Sequence, residues 1–229
     1  MEKNLESRIR LLITSLARKL DEHKDNGWFF DVGANVGLYV WDVSKVCPTQ
    51  KIMAFELDPA NFDLLEMTQK EANLQNFELC PFALSNQTDQ VSFSQDLLTS
   101  STGCIKGKEE PWIEQYLNGS TNQITVNTRT MDSEVGDNKI PSLIKIDVEG
   151  HEVEVLEGAV HTLSNTKPLL IIESFPPKQE KVISLLQAYG YNLEDADQHS
   201  PLNSKTNNLF AWHPQDPLKN SIIQKVLRK

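Results

Sequence analysis

The residues best equipped for chemistry lie in one short segment, Asp147-Val148-Glu149-Gly150-His151-Glu152, which follows directly on the apolar run Leu143-Ile144-Lys145-Ile146. A carboxylate or imidazole within hydrogen-bond reach of a hydroxyl can take its proton as the oxygen forms a new bond, and Asp147, Glu149 and His151 are groups of that kind. Glu173, closing another apolar run that begins at Leu169, is a fourth. The same donors could hold a divalent cation. However, His-x-x-x-His spacing is absent and tight turns gather acids for capping alone, so no required metal is expected.

A second segment reads as a ligand cradle. "FFDVGANVGLY", Phe29 to Tyr39, places Asp31 at the end of a strand and glycines at 33 and 37 before a helix. Glycine lets backbone approach a ligand closely, and amides at a helix N-terminus attract anionic groups. A dinucleotide fingerprint requires Gly-x-Gly-x-x-Gly, but Asn35 stands at its middle position, and no Gly-Lys-Ser/Thr follows for a phosphate loop. What remains is the acid-plus-glycine loop of S-adenosylmethionine enzymes, running through Gly33, Ala34, Asn35 and Gly37, with Asp31 able to accept from the ligand's amino group. Glu56, followed by Leu57, ends the next strand 19 positions beyond Gly37, where a carboxylate can chelate both ribose hydroxyls. A nicotinamide oxidoreductase is the rival enzyme, and a protein that binds the cofactor without turnover the rival outside enzymes.

The elements that position these segments alternate. Strands are expected at Trp28–Val32, Lys51–Glu56, Phe77–Phe82, Gln123–Thr128, Leu143–Val148 and Leu169–Glu173, with late candidates at Tyr189–Leu193 and Asn208–Trp212. Helical patterns run from Val36 to Val46, Pro59 to Asn73, Gly150 to Leu163 and Lys178 to Ala188. Alternation of this kind implies βαβ crossovers and a parallel sheet. Residues 27–215 read as one α/β domain, preceded by an amphipathic helix within 1–26 that docks on it and followed by a short basic tail at 216–229. Between 85 and 122 the composition turns polar, the mark of a functional or a disordered loop, and this one is expected to shape the acceptor pocket. Within it Trp112 and Tyr116 could cover that pocket or form a subunit contact.

Composition narrows the partners. The net charge of −10 opposes attraction to phosphate backbones and anionic lipid, so no nucleic-acid partner is expected. Three widely spaced cysteines without Cys-x-x-Cys suggest reduced thiols, and no apolar run is long enough to span a bilayer, so a cytoplasmic protein is expected. Oligomeric state is not written in any motif.

With "FFDVGANVGLY", "FELDP" and "IKIDVEGHEVEVLEGA" in this order, the chain resembles the FkbM family of S-adenosylmethionine-dependent methyltransferases, from about Trp28 to His213. The third motif is the most specific, and "VNTRTMDSE" before it is similar to that family's lead-in. The resemblance implies a Rossmann-like class I methyltransferase fold: a mostly parallel seven-stranded sheet in the order 3-2-1-4-5-7-6, the seventh strand antiparallel, with helices on both faces. It also implies S-adenosylmethionine as cofactor and O-methylation of a sugar or small-molecule hydroxyl. By position, Asp31, Gly33, Asn35 and Gly37 form the cofactor loop, Glu56 meets the ribose and Phe82-Ala83-Leu84 lies near the adenine. The family often has Glu-Pro after its second strand, whereas here Glu56-Leu57 stands, with only Pro59 retained. In such sheets ligands bind beyond the carboxyl ends of the strands where the order reverses, between strands 1 and 4. Asp147 is therefore expected beside the glycine loop, near the cofactor's sulfonium end, with Glu149 or His151 as the base.

Overall fold

The computed structural model describes residues 2–97, 103–105, 121–136 and 138–227, with side chains from residue 6 onward. Trp112 and Tyr116 lie outside the described residues. The strands in chain order are β1 (Trp28–Val32), β2 (Ile52–Phe55), β3 (Phe77–Cys80), β4 (Ala83–Leu84), β5 (Asp89–Asp96), β6 (Cys104–Ile105), β7 (Thr121–Arg129), β8 (Pro141–Ile146), β9 (Leu169–Glu173), β10 (Asn192–Asp195) and β11 (Asn208–Trp212). The helices are α1 (Glu2–Glu22), α2 (Leu38–Val46), α3 (Pro59–Glu71), α4 (Met131–Glu134), α5 (Glu152–Glu157), α6 (Gln179–Ala188) and α7 (Pro217–Leu227).

Seven strands form the main sheet in the order β3-β2-β1-β8-β9-β11-β10. The first five pair in parallel, and β11 runs antiparallel to both its neighbours. Renumbered among themselves, these strands give the expected order 3-2-1-4-5-7-6. β1 and β8 are buried along their whole length, which is why they read as continuous apolar runs. Each face carries its own core. Phe30, Val32, Ile144, Ile146 and Ile172 point toward α5 and α6, where Val153, Leu156, Val182 and Leu186 meet them. Phe29, Leu143 and Ile171 point the other way, toward Ile13 and Leu16 of α1, Val40 and Val43 of α2 and Ile222 of α7. The apolar stripe of α1 thus belongs to the domain's core.

Four elements depart from the sequence reading. The third strand stops at Cys80 rather than Phe82, because Ala83 and Leu84 leave the main sheet to pair with Thr128 and Arg129. They join a second, four-stranded sheet, β4-β7-β5-β6, so the polar stretch after residue 85 holds strands at 89–96 and 104–105 rather than irregular loop alone. Only Phe93, Ser94 and Asp96 of β5 are buried, so the strand lacks the regular apolar alternation by which strands are recognised. The helix expected over 150–163 is regular only at Glu152–Glu157 and ends in a π turn at Thr162–Thr166. The strand expected at 189–193 begins at Asn192, because Gly190 takes a left-handed φ of 83° and closes α6.

Candidate active site

Strand register brings the acids together. Asp31 on β1 lies opposite Lys145 on β8, and Lys145 opposite Ile171 on β9. Side chains alternate along strands, so Asp31, Lys145 and, two steps beyond Ile171, Glu173 share the face that carries Phe29 and Leu143. β8 ends at Ile146, and the Asp147 amide still donates to the Val32 carbonyl at 3.0 Å, pinning the two strand ends side by side. A Cβ at Gly33 would overlap the Asp147 carbonyl oxygen, so the glycine loop and the acidic strand end are in backbone contact.

Lys145, which was not among the sequence candidates, holds this cluster. It is 1% exposed, donates to Asp147 at 3.0 Å and lies 5.1 Å from the centre of the Tyr39 ring. Burial disfavours its charge, but Asp147, Tyr39 and Glu173 outweigh that and raise its pKa, keeping it cationic. The signal was a lysine amid Leu143, Ile144 and Ile146, since lysine is almost never fully buried unless paired.

Around that cation the carboxyls divide. Burial would raise Asp147, but Lys145 overrides it and holds the group below the usual carboxylate range. Glu173 goes the other way, pushed up to about 8 by burial and by Asp147. Asp31 is fully buried and neither of its oxygens has a hydrogen-bond partner of ordinary geometry, although the Val40 backbone lowers its pKa slightly. Burial pushes its pKa up to about 7; Lys145 opposes the rise, while Asp147 and Glu56 add to it.

The pocket opens beyond these strand ends, with about 750 Å³ of space continuous with solvent. Gly33 and Asn35 form one wall, Glu56, Leu57 and Asp58 a second, and Asp147, Glu149 and His151 a third. Ala83 and Leu84 line it with Phe93 and Ile105 of the second sheet, the two residues of this wall absent from the sequence reading. Asn35 is left-handed at φ 51°, flanked by Gly33 at 80° and Gly37 at 83°. Asparagine is among the few residues that tolerate that conformation, which explains how it replaces a glycine here. Glu56 fastens the loop: its Oε2 accepts from the Asn35 amide at 2.6 Å and its Oε1 from the Asp58 amide at 2.7 Å. Burial nonetheless pushes it up to about 7. Asp58, not Glu56, caps α3, accepting from Ala60 at 2.8 Å with Pro59 in the first helical turn.

Five expected site residues do not line the pocket. Asp31 is sealed beneath the surface and Glu173 is set back on β9. Ala34 turns into the core, Gly37 packs on Leu65 and Trp41, and Phe82 sits edge-on to Phe55 under Arg129. Glu149 is left-handed at φ 49°, so the extended geometry of β8 does not reach it. Glu149 still reaches the pocket wall, and burial, Asp147 and Glu152 push it up to about 7. Glu152 is structural, its Oε1 accepting from the Gly150 amide at 2.7 Å. Among the described residues, no group of three or more His, Cys, Asp or Glu side chains is arranged to hold a metal ion. No helix among them is long and apolar enough to cross a membrane.

Comparison with known proteins agrees with this geometry. The methyltransferase FkbM domain profile matches residues 31–193. Hexuronic acid methyltransferase AglP of Haloferax volcanii is 29% identical over 155 residues, 66% of this chain and 58% of that protein. Methyltransferase 1 of Beauveria bassiana is 25% identical over 146 residues, 58% of this chain and 59% of that one. The chain therefore spans less than two thirds of the length of these curated relatives. The crystal structure of methyltransferase FkbM from Methylobacillus flagellatus shares the fold, with a TM-score of 0.58 at 17% identity over 82% of this chain and 44% of that one. The strand order, the glycine loop against the acidic strand end and the profile match across most of the chain all lead to one assignment: this protein belongs to the FkbM methyltransferase family.

Proposed function

We propose that the chain moves a methyl group from S-adenosylmethionine to an oxygen, a hydroxyl on a sugar or other small-molecule acceptor. The observation that carries this reading is Asp31, a buried acid left without a hydrogen-bond partner directly beneath Val32 and Gly33 of the pocket wall. A buried acid of that kind costs free energy unless something completes it, and a ligand's ammonium group is a fitting partner once the glycine loop shifts to admit it. Gly33 and Asn35 present backbone to the ligand, and Glu56 is the carboxylate for the ribose hydroxyls. Bound S-adenosylmethionine supplies an activated methyl group on a cationic sulfur. Asp147, kept ionised by Lys145, provides the negative charge that faces it, while Glu149 or His151 takes the acceptor's proton. Phe93 and Ile105 give the apolar wall that excludes water.

The similarity to a hexuronic acid methyltransferase makes sugars the first acceptors to try. Calorimetric titration with S-adenosylhomocysteine and, separately, NAD+ tests the cofactor. Transfer of labelled methyl onto a panel of 4-nitrophenyl glycosides, glucuronide included, tests the acceptor. Saturable binding of S-adenosylhomocysteine alone is expected; heat with NAD+ and none with S-adenosylhomocysteine would refute the reading.

A further inference from the structure

Ser85 and Glu154 stand on either side of the His151 imidazole. His151 Nε2 lies 2.9 Å from the Ser85 hydroxyl, and Nδ1, across the ring, lies 3.7 Å from Glu154 Oε2. That carboxylate oxygen is buried and has no hydrogen-bond partner. Two elements hold them: Ser85 follows β4, whereas His151 is the N-cap of α5 and Glu154 lies in its first turn. The Ser85 amide donates to the Arg129 carbonyl at 2.8 Å. Gly158 lets α5 close on the Ser85 backbone, since a Cβ there would overlap the Ser85 carbonyl oxygen. Of the three, only His151 lines the pocket.

From this arrangement we propose that Glu154 and Ser85 are positioning residues for His151, Glu154 facing the Nδ1 proton as its acceptor and Ser85 donating to the Nε2 lone pair, and that His151 rather than Glu149 is the base that takes the acceptor hydroxyl's proton. This rests on the methyl-transfer reading of the pocket. A carboxylate is already ionised at neutral pH and requires no base, so a histidine oriented to accept a proton has a task only when the acceptor is a hydroxyl. As the acceptor oxygen bonds to the methyl carbon, the carbon–sulfur bond breaks and its electron pair stays on sulfur. The hydroxyl proton passes to Nε2, where the Ser85 hydroxyl gives up its place. The imidazolium then faces Glu154. Burial is the main influence on the ring and lowers its pKa; Glu154 raises it and Lys178, anchored to the Gly150 carbonyl at 2.6 Å, lowers it. The resting ring is therefore neutral, as a base must be.

Histidine-ring 15N NMR tests the arrangement directly, with the His151 signals identified by their loss in His151→Gln. The expected resting state carries the proton on Nδ1 and none on Nε2. Glu154→Gln should lower the ring's titration midpoint by about one pH unit, Glu154→Asp should restore it, and Ser85→Ala should leave the Nδ1 proton in place while shifting Nε2. A proton on Nε2, or a midpoint unmoved by Glu154→Gln, overturns the proposal. Titration of the same samples with S-adenosylhomocysteine separates the two readings, because absent binding strikes at methyl transfer and leaves the ring assignment standing. 4-Nitrophenyl glucuronide, which offers hydroxyls and a carboxylate in one molecule, tests the acceptor class. An alkali-stable ether is the expected product, and an alkali-labile methyl ester overturns the assignment to hydroxyls.

Discussion

Gly33 and Asp147 touch through their backbones. There is no room for a side chain at position 33, because its Cβ would overlap the Asp147 carbonyl oxygen, and the φ of 80° there is one that side chains rarely adopt. Two segments more than a hundred residues apart are thereby fixed against each other at the mouth of the pocket. The glycine loop is held from its other side by Glu56 through the Asn35 amide, so its shape depends on β2 and β8 at once.

Gly33→Ala therefore strains the loop and pushes it off Asp147. We expect a folded protein with unchanged far-ultraviolet circular dichroism, destabilised by about 1–3 kcal/mol in urea titrations. Its affinity for S-adenosylhomocysteine should fall by at least about tenfold, since the backbone facing the ligand moves. An alanine variant that binds as the parent does would separate the loop from ligand recognition.

Removing Lys145 strands the carboxylates it serves. Lys145→Met leaves Asp147 without its ion-pair partner and takes a compensating charge from Asp31 and Glu173. Breaking a buried pair by deleting one member costs about 3–5 kcal/mol. Protonation of the stranded acids relieves much of that cost, so the deficit should be larger at pH 8 than at pH 5. Urea midpoints at the two pH values measure it, and equal deficits would show that the lysine stem, not its charge, is what matters.

Much of this was legible in the sequence, and the gaps have physical causes. That Gly33, Glu56 and Asp147 come together could be read because each stands just beyond a strand end, positions that periodicity marks. Lys145 stood in plain view, but the partners that explain it come from strands joined only by the order of the sheet. Glu154 stood three residues beyond His151, a helical spacing visible in the sequence, but Ser85 carries no local signal, because it meets His151 only through the second sheet and the close approach of Gly158 to its backbone. β5 was missed because its partly covered strand breaks the alternation of apolar and polar residues that strand recognition depends on.

Asp31→Asn should stabilise the protein while disabling it. The Asp31 pKa rises from 3.8 unfolded to about 7 folded, so the folded chain holds the proton more tightly. Stability from this group is full below the unfolded value, falls as pH climbs between the two, and is lost above about 7, a total of roughly 4 kcal/mol. Asparagine does not titrate, so the variant's advantage over the parent should grow from pH 4 to pH 7 and then level off. Paired urea titrations across that range check the shape. Binding of S-adenosylhomocysteine should be lost at every pH, and a variant that gains stability yet keeps its affinity would show that Asp31 is not the ligand's partner.

The same group sets how ligand affinity depends on pH. Burial pushes both Asp31 and Glu56 up to about 7 in the free protein, and the proposed function requires each in its ionised form. Below that pH a proton must leave before the ligand's ammonium or ribose can be met. Each such proton weakens apparent binding by about tenfold per pH unit. Because both acids change state over the same range, the loss should lie between about tenfold and a hundredfold per unit. Calorimetry with S-adenosylhomocysteine from pH 5 to 8 should therefore show a steep rise in affinity up to about pH 7, with proton release into the buffer, and a plateau above it. Glu56→Gln should leave the slope of a single proton. It should also weaken binding on the plateau, because the amide has lost one of the two oxygens that accept from Asn35 and Asp58. A pH-independent affinity in the parent would mean that neither acid changes state when the ligand arrives, and the orphaned carboxylate on β1 would need another partner.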